Sequence, residues 1–130
     1  MASNAGADPA HVDPRPLAIE ASGLVKRFDG FTAVDGVDLR VPVGAVYGIL
    51  GPNGAGKTTT LRMLLGIIDP DAGSRRILGA ERPHDVAHAI GYLPEERGLY
   101  PAMKATEAIA FLGALRGLPL KEGRRRAHEL

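Results

Sequence analysis

The chain of 130 residues contains no cysteine and no tryptophan. Without cysteine it forms no disulfide, no thiolate metal site and no catalytic thiol, and this composition suits a reducing compartment. The formal net charge is only +1, so no basic surface indicates a nucleic-acid partner. No apolar run reaches the ~18 residues that span a bilayer. These absences favour a cytoplasmic protein that reaches a membrane only through a partner.

The first 16 residues differ in composition from the rest of the chain. They contain three prolines among small and polar residues, and lack the basic start and apolar segment of a signal peptide. We predict a disordered leader over residues 1–16. The remaining residues 17–130 are enough for one domain with a buried core, since the hydrophobic fraction of the chain is 45%.

Residues 51–58 have the sequence Gly-Pro-Asn-Gly-Ala-Gly-Lys-Thr, a complete G-x-x-x-x-G-K-[ST] phosphate-binding loop. The residue frequencies of this chain give roughly 0.004 chance matches to that pattern. An apolar stretch at residues 43–50 has the length and β-branched content of a buried strand. Residues 59–65 can continue as a helix that ends near Gly66. Strand, glycine loop and helix are the context that the motif requires, so the sequence predicts a nucleotide site.

The chemistry of this loop follows from its place at a helix N-terminus. The first amides of a helix lack partners within the helix and carry partial positive charge, which suits phosphate. Gly51, Gly54 and Gly56 have no Cβ, so the backbone can wrap closely around an anion. Lys57 supplies a charge for the β- and γ-phosphates, and the Thr58 hydroxyl can ligate Mg²⁺.

The segments around the loop give a coarse secondary structure. Residues 17–22 and 37–41 alternate apolar and polar side chains, with an Asp-Gly turn at residues 29–30, which predicts half-exposed antiparallel strands. After the loop we predict a turn, a short strand, one or two helical turns and a short buried strand, at residues 69–73, 75–78, 84–89 and 90–93 respectively.

Two helices are predicted near the end of the chain. The first begins at Lys104 or Thr106, ends at the Gly-Leu-Pro of residues 117–119, and carries one apolar face made of Ala108, Phe111, Leu112 and Leu115. Residues 121–130 are compatible with a second helix.

Three segments together resemble the ATPase domains of ATP-binding cassette (ABC) proteins. Residues 51–59 have the form of the phosphate loop typical of that family. Residues 24–30, Leu-Val-Lys-Arg-Phe-Asp-Gly, resemble the segment with the family's adenine-stacking aromatic, and residues 90–101 resemble its Q-loop region. The resemblance runs from about Leu17 to Leu130 in both order and spacing. Residues 94–100 are most similar to bacterial exporters of the drug, sodium or antibiotic-resistance kind.

The resemblance implies an α/β fold of the P-loop NTPase (ABC ATPase) type in truncated form. That form contains the antiparallel β region, the phosphate-loop strand and its helix, and ends in the helical subdomain. The Walker B strand with its catalytic Glu, the signature motif and the switch His are absent from the sequence. We therefore expect residues 17–130 to be the N-terminal part of an ABC ATP-binding domain, which binds ATP weakly and does not turn over.

Carried over residue by residue, the resemblance also implies site roles. Phe28 stacks on the adenine ring; the alternative is a core Phe near a turn. Lys57 is both a phosphate ligand and a catalytic residue. The loop residues that hold the phosphates and metal are Gly51, Asn53, Gly54, Ala55, Gly56, Lys57, Thr58 and Thr59.

Glu95 occupies the position where the family usually has Gln, the residue that reaches the metal and the attacking water. A carboxylate can ligate Mg²⁺, yet it adds negative charge near the γ-phosphate. Glu95 is thus a candidate metal ligand and catalytic residue. The alternative is that Glu95 and Glu96 form a solvated acidic pair in a loop.

The leading functional hypothesis is the ATP-binding segment of an ABC exporter's ATPase subunit. The intact protein is then expected to pair with a second ATPase subunit and to power a separate membrane permease, at the inner face of the cell membrane. One alternative is a short ATP-binding or interaction module that does not hydrolyse ATP. Another is part of a soluble ABC protein in translation or DNA repair, against which the near-neutral charge argues.

Overall fold

The structure is a computed structural model, and it describes residues 14–93 and 102–129. The chain divides after Ile90 into two units. Two residues of the predicted leader, Arg15 and Pro16, are hydrogen-bonded to Val43. The Val43 amide donates to the Pro16 carbonyl (2.9 Å) and the Arg15 guanidinium donates to the Val43 carbonyl (3.4 Å).

The first unit contains a three-stranded antiparallel sheet in the order β2-β1-β3. Its elements are β1 (Leu17–Phe28), β2 (Phe31–Pro42), α1 (Lys57–Leu64), β3 (Ala72–Ile77) and a 3₁₀ helix (Pro83–Ala89). β1 and β2 form a hairpin whose two-residue turn has positive φ at Asp29 (39°) and Gly30 (83°). That geometry is the type I′ turn that Asp-Gly favours. The predicted antiparallel strands and their turn are therefore confirmed.

One face of this sheet and α1 share a hydrophobic core. Leu24 of β1 and Met63 of α1 are completely buried, and each stabilises the fold by roughly 1.5–3 kcal/mol relative to an exposed side chain. The buried members of the core are Ala21, Leu24, Val34, Leu39, Met63, Leu64 and Ile77. Because α1 carries two of them, its position against the sheet is fixed by burial as well as by the chain connection.

The strand predicted directly before the phosphate loop is not formed. β2 ends at Pro42, a turn follows, and residues 45–50 carry no strand. Val46 (104%) and Leu50 (92%) are almost fully exposed. A strand persists only when its backbone is paired and its faces are covered, and no strand in the described ranges 14–93 and 102–129 pairs with these residues.

Beyond α1 the predictions are partly right. The helix ends at Leu64, close to the predicted Gly66, and the strand predicted at 75–78 is present as the longer β3. The turn predicted at residues 69–73 is shorter than expected, because β3 already begins at Ala72. The single 3₁₀ helix accounts for residues 84–89. The strand predicted at 90–93 is wrong, since those residues have no regular structure and Leu93 is 81% exposed.

The second unit contains two helices, α2 (Ala105–Leu115) and α3 (Leu120–Ala127). Lys104 directly precedes α2, which agrees with Lys104 as one of the two predicted helix starts. The buried residues are small: Ala108 and Ala110 in α2, Gly123 and Ala127 in α3. A Cβ at Gly123 would lie 3.1 Å from both the Cα and the carbonyl oxygen of Ala110, so the two backbones are in close contact.

The apolar face predicted for α2 is not its packed face. Of its four members only Ala108 is buried, whereas Phe111, Leu112 and Leu115 are 39–69% exposed. Bulky side chains cannot lie where two helix backbones come this close, so the small residues make the contact instead. No helix in the described part of the chain is long and apolar enough to cross a bilayer.

Candidate functional site

The segment before α1 has the bent backbone that a phosphate loop requires. Gly56 precedes the first helical residue with φ 84° and ψ 4°, and Gly54 has φ 81°. These left-handed values are routine only for glycine. Within the bend the Ala55 amide donates to the Pro52 carbonyl (3.2 Å). The predicted passage from glycine loop to helix is therefore present, although the strand before it is not.

Gly56 also fixes the loop against the hairpin. A Cβ on Gly56 would collide with the Ala33 carbonyl oxygen of β2, and it would lie 3.1 Å from Val34 Cγ2. Only a residue without a side chain allows this approach. The end of the loop consequently lies directly on the backbone of β2, two residues from the end of the hairpin.

The Lys57 side chain folds back across the loop. Its Nζ donates to the carbonyls of Gly51 (2.6 Å) and Pro52 (2.8 Å). The ammonium is thereby held beside the backbone of residues 51–52, on the loop that the motif assigns to phosphate. Lys57 is also the first residue of α1, and a positive side chain at a helix start, where backbone amides lack partners within the helix, attracts a polyanion.

The threonines after Lys57 differ in their surroundings. Thr60 is 4% exposed, and its hydroxyl donates to the Gly56 carbonyl (2.9 Å), so it serves the helix start. Thr58 is exposed and Thr59 half-buried. The first turn of α1 contains no acidic residue, which leaves the positive end of the helix dipole without a carboxylate from its own turn. An exposed hydroxyl here suits a hard cation that accompanies a phosphate.

Phe28 lies at the end of the hairpin, opposite Phe31, and is 45% exposed. The alternative of a core Phe is therefore wrong. Along β2, Phe31 is two residues, or about 7 Å, from the Ala33 carbonyl that Gly56 approaches. The hairpin thus brings an exposed aromatic ring to the same end of the unit as the loop. Phe31, 61% exposed, is a second aromatic here that the sequence analysis missed, although its place across the Asp-Gly turn is a usable signal.

A charged cluster beside Phe28 was also missed from the sequence. The Lys26 ammonium lies over the Phe28 ring, 5.6 Å from its centroid. It donates to Asp71 Oδ1 and to the Asp69 carbonyl, both at 2.8 Å. The other Asp71 oxygen accepts from the Arg27 amide (2.7 Å). These bonds, led by that of Lys26, lower the pKa of Asp71 below its ordinary value.

Two further regions, the predicted Q-loop and a surface groove, add no residue to the site in the described part of the chain. Of the predicted Q-loop region at residues 90–101, residues 94–101 lie outside the described residues. The role of Glu95 therefore stays a prediction. A groove of about 710 Å³ lies instead along β1 and β3. Its arginines are paired within it, Arg75 with Asp69 (2.8 Å) and Arg76 with Glu81 (3.4 Å). It includes none of the predicted site residues.

The sequence matches one family model and several curated proteins. A family model described as ABC transporter matches residues 34–130. The daunorubicin/doxorubicin resistance ATP-binding protein DrrA of Streptomyces peucetius is 46% identical over 116 residues, which are 87% of this chain and 35% of that protein. Nod factor export ATP-binding protein I of Ralstonia nicotianae is 41% identical over 111 residues, 83% of this chain and 35% of that protein.

A solved structure shares the fold. The cbiO1 protein of Clostridium perfringens, described as part of the ABC transporter complex cbiONQ, aligns with a TM-score of 0.70 at 24% identity, over 85% of this chain and 47% of that one. The comparisons confirm both the resemblance based on the three segments and the predicted partial α/β P-loop fold. The chain spans about a third of the length of the two curated relatives.

Proposed function

The chain belongs to the ABC transporter family, and from that premise we propose that its glycine loop and hairpin end bind ATP with Mg²⁺. The observation that carries the proposal is the Lys57 ammonium, held 2.6 Å from the Gly51 carbonyl above a loop that ends in left-handed Gly56. A cation at the start of a helix attracts anionic oxygens such as those of phosphate.

Each part of the site has a proposed role. The backbone amides of residues 51–59, which include Asn53, Gly54 and Ala55, surround the phosphates, and Lys57 pairs with the β- and γ-phosphates. Thr58 supplies a hydroxyl ligand to Mg²⁺, with Thr59 beside it, and Glu95 is the proposed second metal ligand. Mg²⁺ held by these residues would neutralise charge on the phosphate oxygens. Phe28 stacks on adenine with the face of its ring.

We further propose that the whole protein is the ATPase subunit of an exporter. Two relatives support this, because one is named for drug resistance and the other for Nod factor export. In this proposal two ATPase subunits pair on the cytoplasmic side of the membrane and drive a separate permease. The 130 residues themselves are expected to bind ATP weakly and to hydrolyse it negligibly, since the sequence contains no Walker B Asp or catalytic Glu.

The test of ATP binding is titration calorimetry of the 130-residue chain with MgATP, comparing wild type, Lys57→Ala and the matched control Lys121→Ala on α3. Loss of a charge-assisted contact to phosphate is expected to weaken binding roughly ten- to hundredfold in Lys57→Ala. Lys121→Ala is expected to bind like wild type. Equal affinity of the two variants for MgATP would refute the proposed site.

A further inference from the structure

Lys26 and Phe28 are two residues apart on β1, so their side chains leave the strand on the same side. The Lys26 ammonium lies 5.6 Å from the centroid of the Phe28 ring, within the range of a cation–π interaction. The Lys26 side chain is 16% exposed, whereas Phe28 is 45% exposed. One side of the aromatic ring is thus occupied by a partly buried cation, while the ring as a whole remains accessible.

The ammonium is held in place by the turn before β3. It donates to Asp71 Oδ1 and to the Asp69 carbonyl, at 2.8 Å each. Asp71 is itself fixed, because its second oxygen accepts from the Arg27 amide at 2.7 Å. A side chain with two hydrogen-bonded partners has little rotamer freedom left to lose when a ligand arrives. Lys26 is therefore positioned over the ring in advance of any ligand.

We propose that Lys26 is a positioning residue for the nucleotide base, which acts through Phe28 and rests on the ATP site proposed above. The cation covers one face of the ring and directs the purine to the other face. It also attracts the ring's π-electrons, so the opposite face repels the π-face of a base less strongly. Lys26 thus strengthens binding of the base and has no effect on the triphosphate.

The test separates base from phosphate by using two ligands, MgATP and magnesium tripolyphosphate, with the 130-residue chain in titration calorimetry. In Lys26→Met the affinity for MgATP is expected to fall roughly two- to fivefold, and the affinity for tripolyphosphate to stay unchanged. Lys26→Arg, which keeps a cation over the ring, is expected to restore most of the ATP affinity. Lys121→Met on α3 is the matched control and is expected to bind both ligands like wild type.

Three results overturn the inference. The first is an unchanged ATP affinity in Lys26→Met. The second is an equal loss for both ligands, because that loss reports a structural role of Lys26 in the turn at residues 69–71. The third is a failure of Lys26→Arg to restore ATP affinity. If Lys26→Met does not fold, Lys26→Gln replaces it, because Gln keeps a donor toward Asp71 and removes the charge. The inference is then overturned if Lys26→Gln leaves the ratio of MgATP affinity to tripolyphosphate affinity unchanged.

Failure of the inference is distinguishable from failure of the site. A wild-type chain that binds neither ligand refutes the proposed ATP site, and this inference with it. If Lys57→Ala weakens both ligands while Lys26→Met weakens neither, the site stands and only the role of Lys26 is refuted. Phe28→Ala gives the upper limit, because loss of the whole stacking ring is expected to lower ATP affinity about tenfold.

Discussion

The two units of the chain are stabilised by different means. In residues 14–90, large apolar side chains from three strands and a helix meet in one core, and Leu24 and Met63 are completely buried. In residues 102–129, Ala110 and Gly123 bring two helices together, and Leu112 and Leu115 stay exposed. The comparison teaches that apolar content alone does not make a core. A large side chain stabilises a fold only when other atoms cover it.

The largest expected difference is between two leucines, one in each unit. Leu24→Ala is expected to destabilise residues 14–90 by about 2–5 kcal/mol, because it leaves a cavity in a fully buried position. Leu115→Ala removes a side chain that is 69% exposed and is expected to change stability by less than about 0.5 kcal/mol. Hydrogen exchange resolved by peptide measures each unit separately. Equal losses of stability in Leu24→Ala and Leu115→Ala would contradict the difference between the two units.

A second pair of substitutions examines the helix contact. Gly113→Ala and Gly123→Ala both gain helix propensity, and Gly113→Ala is expected to stabilise residues 102–129 by about 0.5–1 kcal/mol. At Gly123 the new Cβ meets Ala110 backbone atoms at 3.1 Å, whereas at Gly113 it meets the flexible Leu118 side chain at 3.3 Å. We therefore expect Gly123→Ala to destabilise the unit by about 1 kcal/mol. Thermal unfolding followed by circular dichroism measures both, and a stabilising Gly123→Ala would contradict the proposed backbone contact.

The smallest expected effect concerns pH and α3. Glu122 accepts hydrogen bonds from Arg125 (2.7 Å) and Arg126 (2.7 Å), which lower its pKa from 4.5 to about 2. The folded pKa is below the unfolded one, so this stabilisation is complete above pH 4.5 and is lost as the pH falls toward about 2. The pairs are exposed, so the loss is small and weaker in high salt.

Far-UV circular dichroism between pH 5 and about pH 2 measures this loss as reduced helicity. In Glu122→Gln residue 122 cannot titrate, so the part of the helicity loss that protonation of Glu122 causes is expected to be absent. A wild-type titration identical to that of Glu122→Gln would show that the ion pairs do not stabilise α3.

What the sequence predicted well depends on short-range rules. The Asp-Gly turn at residues 29–30, the glycine loop at 51–58 and the end of α1 near Gly66 each follow from the conformations that a few neighbouring residues allow. These local features account for most of the candidate site. The exposure of Phe28 is settled by the structure instead, because the sequence left a core Phe near that same turn as the alternative.

What the sequence did not predict depends on distant partners. Residues 45–50 have the composition of a strand, but strand formation requires a neighbouring strand. The packed face of α2 is set by Gly123, thirteen positions from Ala110, and periodicity favours bulky residues over small ones. The Lys26–Asp71 pair joins residues 45 positions apart, and only the pairing of β1 with β3 brings them together.

The contact of Gly56 with Ala33 has a consequence for how the site can vary. At the junction between the aromatic end and the loop, Gly56 contributes no side chain and faces the Ala33 carbonyl and Val34 Cγ2 of β2. Side chains of the hairpin other than Val34 can change in size and charge without altering the junction. The distance from the Phe28 ring to the glycine loop is therefore set by the number of β2 residues between the turn and Ala33. Most substitutions leave this distance unchanged, whereas an insertion or deletion in β2 changes it.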